Sequence, residues 1–332
     1  MILVSAALII LLIAICGILF EIAGEAWDSW RWPPTGALQE VGGHRLHIDR
    51  EGERGPVVVF ESGIAASSLS WKLVQPRVAE FARTCSYDRA GLGWSDASRT
   101  PPSLAVIVRD LRALLSGAGL PGPYIFVAHS FGGLVARWYA SHYPEEIAAL
   151  VLVDPLAACE WAHPDGVHKR MLARGVHLSR RGKMLARFGV VRLCLDLAMA
   201  GARSLPKLVA KLTSGGANTP DKMTGEIRKL PREVWPMVKS HWCRPKCFEA
   251  MARHLELLPG NSEAALAAPV PEAIPVTVLA AFDCSEARLR EYDEMTKRSR
   301  AGRQIQMKDC GHWIHLDRPE AVVAAIREFA GV

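Results

Sequence analysis

Ser130 stands in the run Val127-Ala128-His129-Ser130-Phe131-Gly132-Gly133. There an apolar stretch that reads as a buried strand, Pro123 to Val127, gives way to the helical spacing of Leu134 to Ala140. A hydroxyl held at such a strand-to-helix turn can serve as a nucleophile, because the sharp turn lifts it clear of the sheet. The turn needs small residues two before and two after the serine, and Ala128 and Gly132 meet that need, although glycine is the usual first residue. The same residues also fit a plain serine cap on an ordinary helix. What decides is whether a histidine, an acid and an oxyanion hole follow in the right slots.

A base is available near the C-terminus, where Asp309-Cys310-Gly311-His312-Trp313-Ile314-His315 separates a strand-like Arg303 to Lys308 from a helix over Pro319 to Phe329. A histidine on a loop beyond the last strand can swing over the sheet edge toward Ser130. His312, freed by Gly311, is the better candidate, and His315 is expected to bind backbone or pack. The acid should close the strand resumed near Val276. Asp283 follows Val278-Leu279-Ala280-Ala281-Phe282 and is the first choice, to orient His312 and stabilise its imidazolium. Asp154, ending the strand Leu150 to Asp154, is the alternative, and Glu286 a further rival; the order Ser, acid, His allows either aspartate. For the oxyanion hole, Phe131 supplies one N–H, and Ile64, in the small-residue turn Glu61 to Ala66, is chosen for the second. Phe131 and Trp313 are also candidates to line an acyl site.

Positioning these groups calls for alternating strands and helices. Strands are expected at Arg45 to Arg50, Pro56 to Glu61, Thr84 to Asp88, Pro123 to His129, Leu150 to Asp154 and Ile274 to Leu279, and helices at Trp71 to Ala82, Pro102 to Leu115 and Ser130 to Ser141. The fold class is α/β, a mostly parallel doubly wound sheet. The pattern breaks after Asp154-Pro155 for about a hundred residues of helical periodicity. From Leu156 to Val270 there are 19 Lys plus Arg against 9 Asp plus Glu, so the chain's net charge of +6 comes from this insert. Its basic residues interleave with Leu, Met and Phe, as in amphipathic helices on anionic lipid or in a solvated face covering the core. No nucleic-acid motif accompanies the charge, so nucleic-acid binding is disfavoured.

With 332 residues, half of them hydrophobic, the chain can bury a large core. Met1 to Phe20 carries no charged side chain, enough at about 1.5 Å per residue to cross a bilayer core. No basic residue precedes it, Gly24-Glu25-Ala26 is a weak cleavage site, and an uncleaved single-pass membrane anchor is favoured over an export signal. Glu21, Glu25 and Asp28 precede the nearest basic residue, Arg31, and leave the orientation open. Trp27, Trp30 and Trp32 suit an interfacial belt. The three residues between Cys243 and Cys247 make a poor zinc knuckle and no redox dithiol pair, so reduced thiols are expected, with a local disulfide as the alternative if the domain is exported.

Taken together, Glu61-Ser62-Gly63-Ile64, Tyr87-Asp88-Arg89-Ala90-Gly91-Leu92-Gly93-Trp94-Ser95, His129-Ser130-Phe131-Gly132-Gly133, Leu152-Val153-Asp154-Pro155 and Gly311 to Glu320 resemble the α/β-hydrolase fold superfamily, in its branch of capped serine esterase-like enzymes. The resemblance spans Gly42 to Val332 apart from the insert. It implies Ser130 as nucleophile, His312 as base, the insert as a helical cap, and a structural role for the Asp88-Arg89-Gly91 turn. The organisation expected is an anchor or signal at 1–24, a linker at 25–41, core at 42–155, cap at 156–272 and core again at 273–332. Serine with a histidine base implies acyl transfer and ester hydrolysis with no metal or organic cofactor. Amide, lactone or peroxyacid chemistry with the same triad, acyl transfer to an alcohol, or a non-catalytic ligand sensor are the alternatives.

Overall fold

The computed structural model describes residues 2–201 and 228–331. The portion of the insert from 202 to 227 therefore lies outside the described residues.

The chain opens with helix α1, Ile2–Arg31. Strands β1, Ala37–Glu40, and β2, Arg45–Glu51, form an antiparallel pair, and β3, Val57–Glu61, follows. A short 3-10 turn leads into α2, Gln75–Ala79, and then come β4, Arg83–Tyr87, and α3, Leu104–Gly117. Next are β5, Tyr124–His129, α4, Gly132–His142, and β6, Ile147–Val153. The eight strands run in the order β1-β2-β4-β3-β5-β6-β7-β8, antiparallel at β1-β2-β4 and parallel from β4 onward. The last two are β7, Val276–Ala280, and β8, Gly302–Gln306. The chain thus has an α/β fold built on a mostly parallel sheet.

Helices cover both faces of that sheet, as the apolar runs of the central strands require. Every residue of β3 and β5 is buried, since each strand has helices above and below it. One apolar layer gathers Val57, Val59, Phe126 and Ala128 with α3 and α4, and the other gathers Val58, Phe60, Ile125 and Val127 with the C-terminal helix. Successive strand residues go to opposite layers, the period-two alternation of a strand. Parallel strands end on one edge of the sheet, and the loops after β3, β5, β6 and β8 carry the candidate residues there.

Between β6 and β7 the described chain is helical: α5, Ala158–Ala162, α6, Gly166–Arg187, α7, Val190–Met199, α8, Trp235–Cys243, α9, Pro245–Glu256, and α10, Leu258–Leu266. Asp165 caps α6, accepting the amides of Val167 and His168. Part of the insert's positive charge is spent internally, with Lys183 of α6 on Glu249 of α9 and Arg180 on Glu256. After β7 come α11, Glu286–Arg298, the short α12, Ile314–Asp317, and α13, Pro319–Ala330.

Two sequence expectations change here. Residues 25–41 are not a linker, because α1 continues unbroken to Arg31 and β1 begins at Ala37. The acidic residues near the end of α1 face the insert. Arg192 of α7 is buried against both Glu21, at 2.9 Å, and Asp28, at 2.5 Å. Arg244 donates to Ser29 at 2.9 Å and stands 3.6 Å from Glu25. The second change is α11, a helix that the sequence reading passed over. Ser285 caps it by accepting the Arg288 amide. All eight cysteines, Cys243 and Cys247 included, are free thiols.

Candidate active site

Ser130 follows the last residue of β5 and has φ +55°, while α4 starts two residues later. This is a strained turn, and a helix-capping serine would be extended. The turn is held from both ends: the Ser130 amide donates to Val153, and its carbonyl accepts from Gly133 and Leu156. It also runs so close to β3 that a Cβ on Gly132 would come within 2.8 Å of the Glu61 carbonyl oxygen. Only glycine fits at that approach.

Ser130, Asp154 and Ala65 are the three non-glycine residues with clearly positive φ among the described residues. Each sits just beyond a strand at the same sheet edge, after β5, β6 and β3 respectively. Backbone strain is concentrated where the candidate chemistry lies, which is where folds retain it.

His312 lies on the loop after β8. Its Nδ1 is 2.6 Å from Oδ2 of Asp154. A carboxylate only accepts, so Nδ1 carries the proton and Nε2 is left with a lone pair. The loop is pinned from below by His129, whose Nε2 donates to the His312 carbonyl at 2.9 Å, with the two rings 4.6 Å apart. Burial holds His129 well below the usual imidazole range, so it is neutral and suited to that donor role. His312 therefore sits directly over the residue preceding Ser130.

The acid beside His312 is Asp154, the alternative in the sequence reading, and Asp283 takes no part in the contact. Asp283 lies exposed in the turn after β7. The reason lies in the length of that strand. It ends at Ala280, and the next amide, of Ala281, is already donating to Oδ1 of Asp154 at 3.0 Å. The chain thus turns outward before Asp283 can reach the ring. Glu286 also lies exposed, at the start of α11.

Asp154 is surrounded by donors besides His312. Cys284 gives its thiol proton to Oδ1 at 3.1 Å, and the Arg288 guanidinium lies 3.0 Å from Oδ2. Burial pushes the Cys284 thiol up to about 12, so it remains a donor. Burial alone would raise the Asp154 carboxyl, but the His312 hydrogen bond, the Arg288 charge and the Ala281 amide outweigh it and hold the carboxyl below its ordinary value. The carboxylate is 1% exposed whereas the His312 side chain is 41% exposed. Asp154 is sealed as an anion while the imidazole stays open to a reacting group.

The candidate oxyanion donors are arranged by Arg89. Its guanidinium is buried, pairs with Glu61, and donates to the carbonyls of Ser62 at 2.6 Å and Gly63 at 2.5 Å. In a trans peptide the carbonyl and the next N–H point oppositely, so fixing the Gly63 carbonyl on Arg89 aims the Ile64 amide away from it. A Cβ on Gly63 would lie 3.2 Å from Cβ of Ser130, so this loop passes directly beside the serine. The amides of Ile64 and Phe131 donate to no other group among the described residues. Arg89 was read as purely structural from its turn, and the pairing with Glu61 that gives it this task joins residues too far apart in sequence to be anticipated.

An apolar cavity of about 710 Å³ opens beside these groups. Ile64, His312 and Trp313 line it together with Val238 and Trp242 of α8 and Phe248 and Met251 of α9. Of the two aromatics expected to line an acyl site, Trp313 lines this cavity. The Phe131 side chain is not, being fully buried between the Arg89 guanidinium and the edge-on His254 ring. The sharp turn at Ser130 directs the Phe131 ring inward and leaves only its amide near the serine. His315 packs as expected, buried between Trp71 and His129. No cluster able to hold a metal ion occurs among the described residues.

The family profile described as the alpha/beta hydrolase fold matches residues 56–319, most of the chain. The chain belongs to the α/β-hydrolase family. This hydrolase is 28% identical over 294 residues to the Mycobacterium tuberculosis protein named lipase LipV, covering 86% of this chain and 98% of that one. It is 33% identical over 141 residues to the Bacillus subtilis protein YqjL, covering 40% of this chain and 55% of that one. The hydrolase thus spans about half the length of the B. subtilis relatives it matches. Among solved structures, the enol-lactonase of Burkholderia xenovorans LB400 superposes with a TM-score of 0.60 at 17% identity, over 89% of this chain and all of that one. An alpha/beta hydrolase fold protein from Burkholderia ambifaria gives 0.61 at 21% identity, over 88% and 99%. These structural likenesses establish the fold.

Proposed function

We propose that the protein is a membrane-anchored serine hydrolase that cleaves carboxylic esters through an acyl-enzyme. The observation that carries the reading is the 2.6 Å contact between His312 Nδ1 and Asp154, which leaves Nε2 as a base on the loop above the strained Ser130 turn. Ser130 Oγ attacks the ester carbonyl and passes its proton to His312 Nε2. Asp154, ionised and sealed from solvent, stabilises the imidazolium. The amides of Ile64 and Phe131 receive the oxyanion, and Arg89 holds the first of them in place. His312 then protonates the departing alcohol, and water repeats the sequence on the acyl-serine.

The helices between β6 and β7 act as a cap, contributing α8 and α9 to the wall of the cavity. An apolar pocket suits the acyl group, and the relative named a lipase accords with an ester substrate. Helix α1 is long and apolar enough to cross a membrane. It is read as an uncleaved anchor, because cleavage near Ala26 would strip Glu21 and Glu25 from their partners on the cap. Turnover of nitrophenyl esters of graded acyl length tests the reading. Hydrolysis that disappears with Ser130→Ala supports it, and hydrolysis retained in that variant overturns it.

A further inference from the structure

The cap does not merely stand near α1 but reaches along it into the apolar stretch. A Cβ on Gly17 would lie 2.4 Å from the Phe188 carbonyl oxygen, and one on Gly189 would lie 2.8 Å from both the Gly17 carbonyl oxygen and the Phe20 ring. The turn between α6 and α7 is therefore in backbone contact with α1 about one helical turn before Glu21, within its charge-free portion. On the surface around this contact Met184 is 62%, Phe188 38% and Leu193 45% exposed. Phe188 and Gly189 adjoin Gly17 and Phe20 of α1, whose residues from Val4 onward are largely exposed.

The cavity lies close behind the same region. Helix α8 turns Val238 and Trp242 into the cavity wall, while its Lys239 pairs with Asp196 of α7 and Arg244 at its end reaches Glu25 and Ser29 of α1. At the foot of α1, the Trp32 carbonyl accepts from Trp94 at 3.0 Å, and Trp94 packs in the apolar cluster that includes the cavity residues Leu230, Val238 and Leu316. One helix thus separates the cavity from the segment that enters the membrane.

We infer that the Met184-Phe188-Leu193 surface of the cap seats in the same lipid leaflet as the end of α1, and that the substrate is a membrane-resident long-chain acyl ester taken from that leaflet. The inference rests on the proposed ester hydrolysis. Its occupant is the bilayer, because the patch is continuous with the helix that spans it and the clamp of Glu21, Asp28 and Arg192 fixes the two together. Two of the basic residues of α6, Arg180 and Lys183, are paired with Glu256 and Glu249 of α9.

The test uses the full chain reconstituted into phosphatidylcholine vesicles, with a fluorogenic long-chain ester embedded in the same vesicles and a short-chain ester of the same alcohol in solution. Leu193→Glu and, separately, Met184→Glu place a charge on exposed positions outside the catalytic machinery. Each variant is expected to lose about tenfold or more in kcat/KM on the embedded ester while staying within about twofold on the soluble one. Equal activity on both substrates in both variants, or an equal loss on both, overturns the inference. Wild-type turnover of the soluble ester without turnover of the embedded one also overturns it and leaves ester hydrolysis standing. Turnover of neither ester removes the proposed ester hydrolysis itself.

Discussion

Arg288 and His312 converge on the same oxygen, Oδ2 of Asp154, at 3.0 and 2.6 Å. The carboxylate beside His312 is therefore also neutralised in part by a cation from α11. Arg288 is further tied to the Pro155 carbonyl at 3.4 Å and to the Tyr292 hydroxyl at 3.2 Å, so it is a fixed element of the site.

One consequence is a pH effect. The Arg288 charge helps hold the Asp154 carboxyl below its ordinary value, so Arg288→Gln should raise the proton affinity of that carboxylate. The acid limb of the kcat/KM profile is expected to move to higher pH, and Arg288→Lys should restore it in part. A profile that falls in height with no movement of the limb would assign Arg288 a packing role alone.

The choice of acid is separable by two substitutions. Asp154→Asn leaves the shape of the site but removes the acceptor that selects the imidazole tautomer, and kcat for ester hydrolysis should fall roughly ten-thousand-fold. Asp283→Asn, at an exposed turn, should leave kcat within about twofold. The reverse ranking would return the acid to Asp283.

The clamp between α1 and α7 carries a stability prediction. Arg192→Met leaves the buried Glu21 and Asp28 carboxylates without their cation and should cost about 3–5 kcal/mol, read as a lower midpoint of thermal unfolding in detergent. Replacing Glu21 and Asp28 by leucine in the same chain should recover most of that loss. No recovery would mean that Arg192 matters for a reason other than charge compensation.

Asp88 predicts an acid-sensitive component of stability. Burial alone would raise its carboxyl, but the contact with His47 at 3.0 Å and the amides of Ser68 and Trp94 hold it at about 2. A folded value below the unfolded one means the contribution is complete above about pH 4 and drains as pH falls toward about 2, a total of about 2 kcal/mol. Asp88→Asn should be less stable at neutral pH and show a shallower decline over that range in equilibrium unfolding. Parallel declines in the two proteins would contradict this.

Much of this arrangement was legible in the sequence because it is local. The elbow could be read from Ala128, Ser130 and Gly132, and the central strands from apolar runs whose both faces are covered. Which aspartate lies beside His312 was not, since that depends on β7 ending at Ala280 so that Ala281 docks on Asp154. Strand ends are set by tertiary contacts rather than by composition. Likewise the partners of Glu21, Glu25 and Asp28 were not legible, because Arg192 and Arg244 lie more than 160 residues along the chain. The tasks of Arg89 and Arg288 were hidden for the same reason.

The most direct measurement is to treat the full-length protein with a fluorophosphonate and map the adduct by tandem mass spectrometry. The account predicts stoichiometric labelling on Ser130, abolished by His312→Ala and lost along with ester turnover in Ser130→Ala. Labelling on another residue, or ester turnover that survives Ser130→Ala, would contradict it.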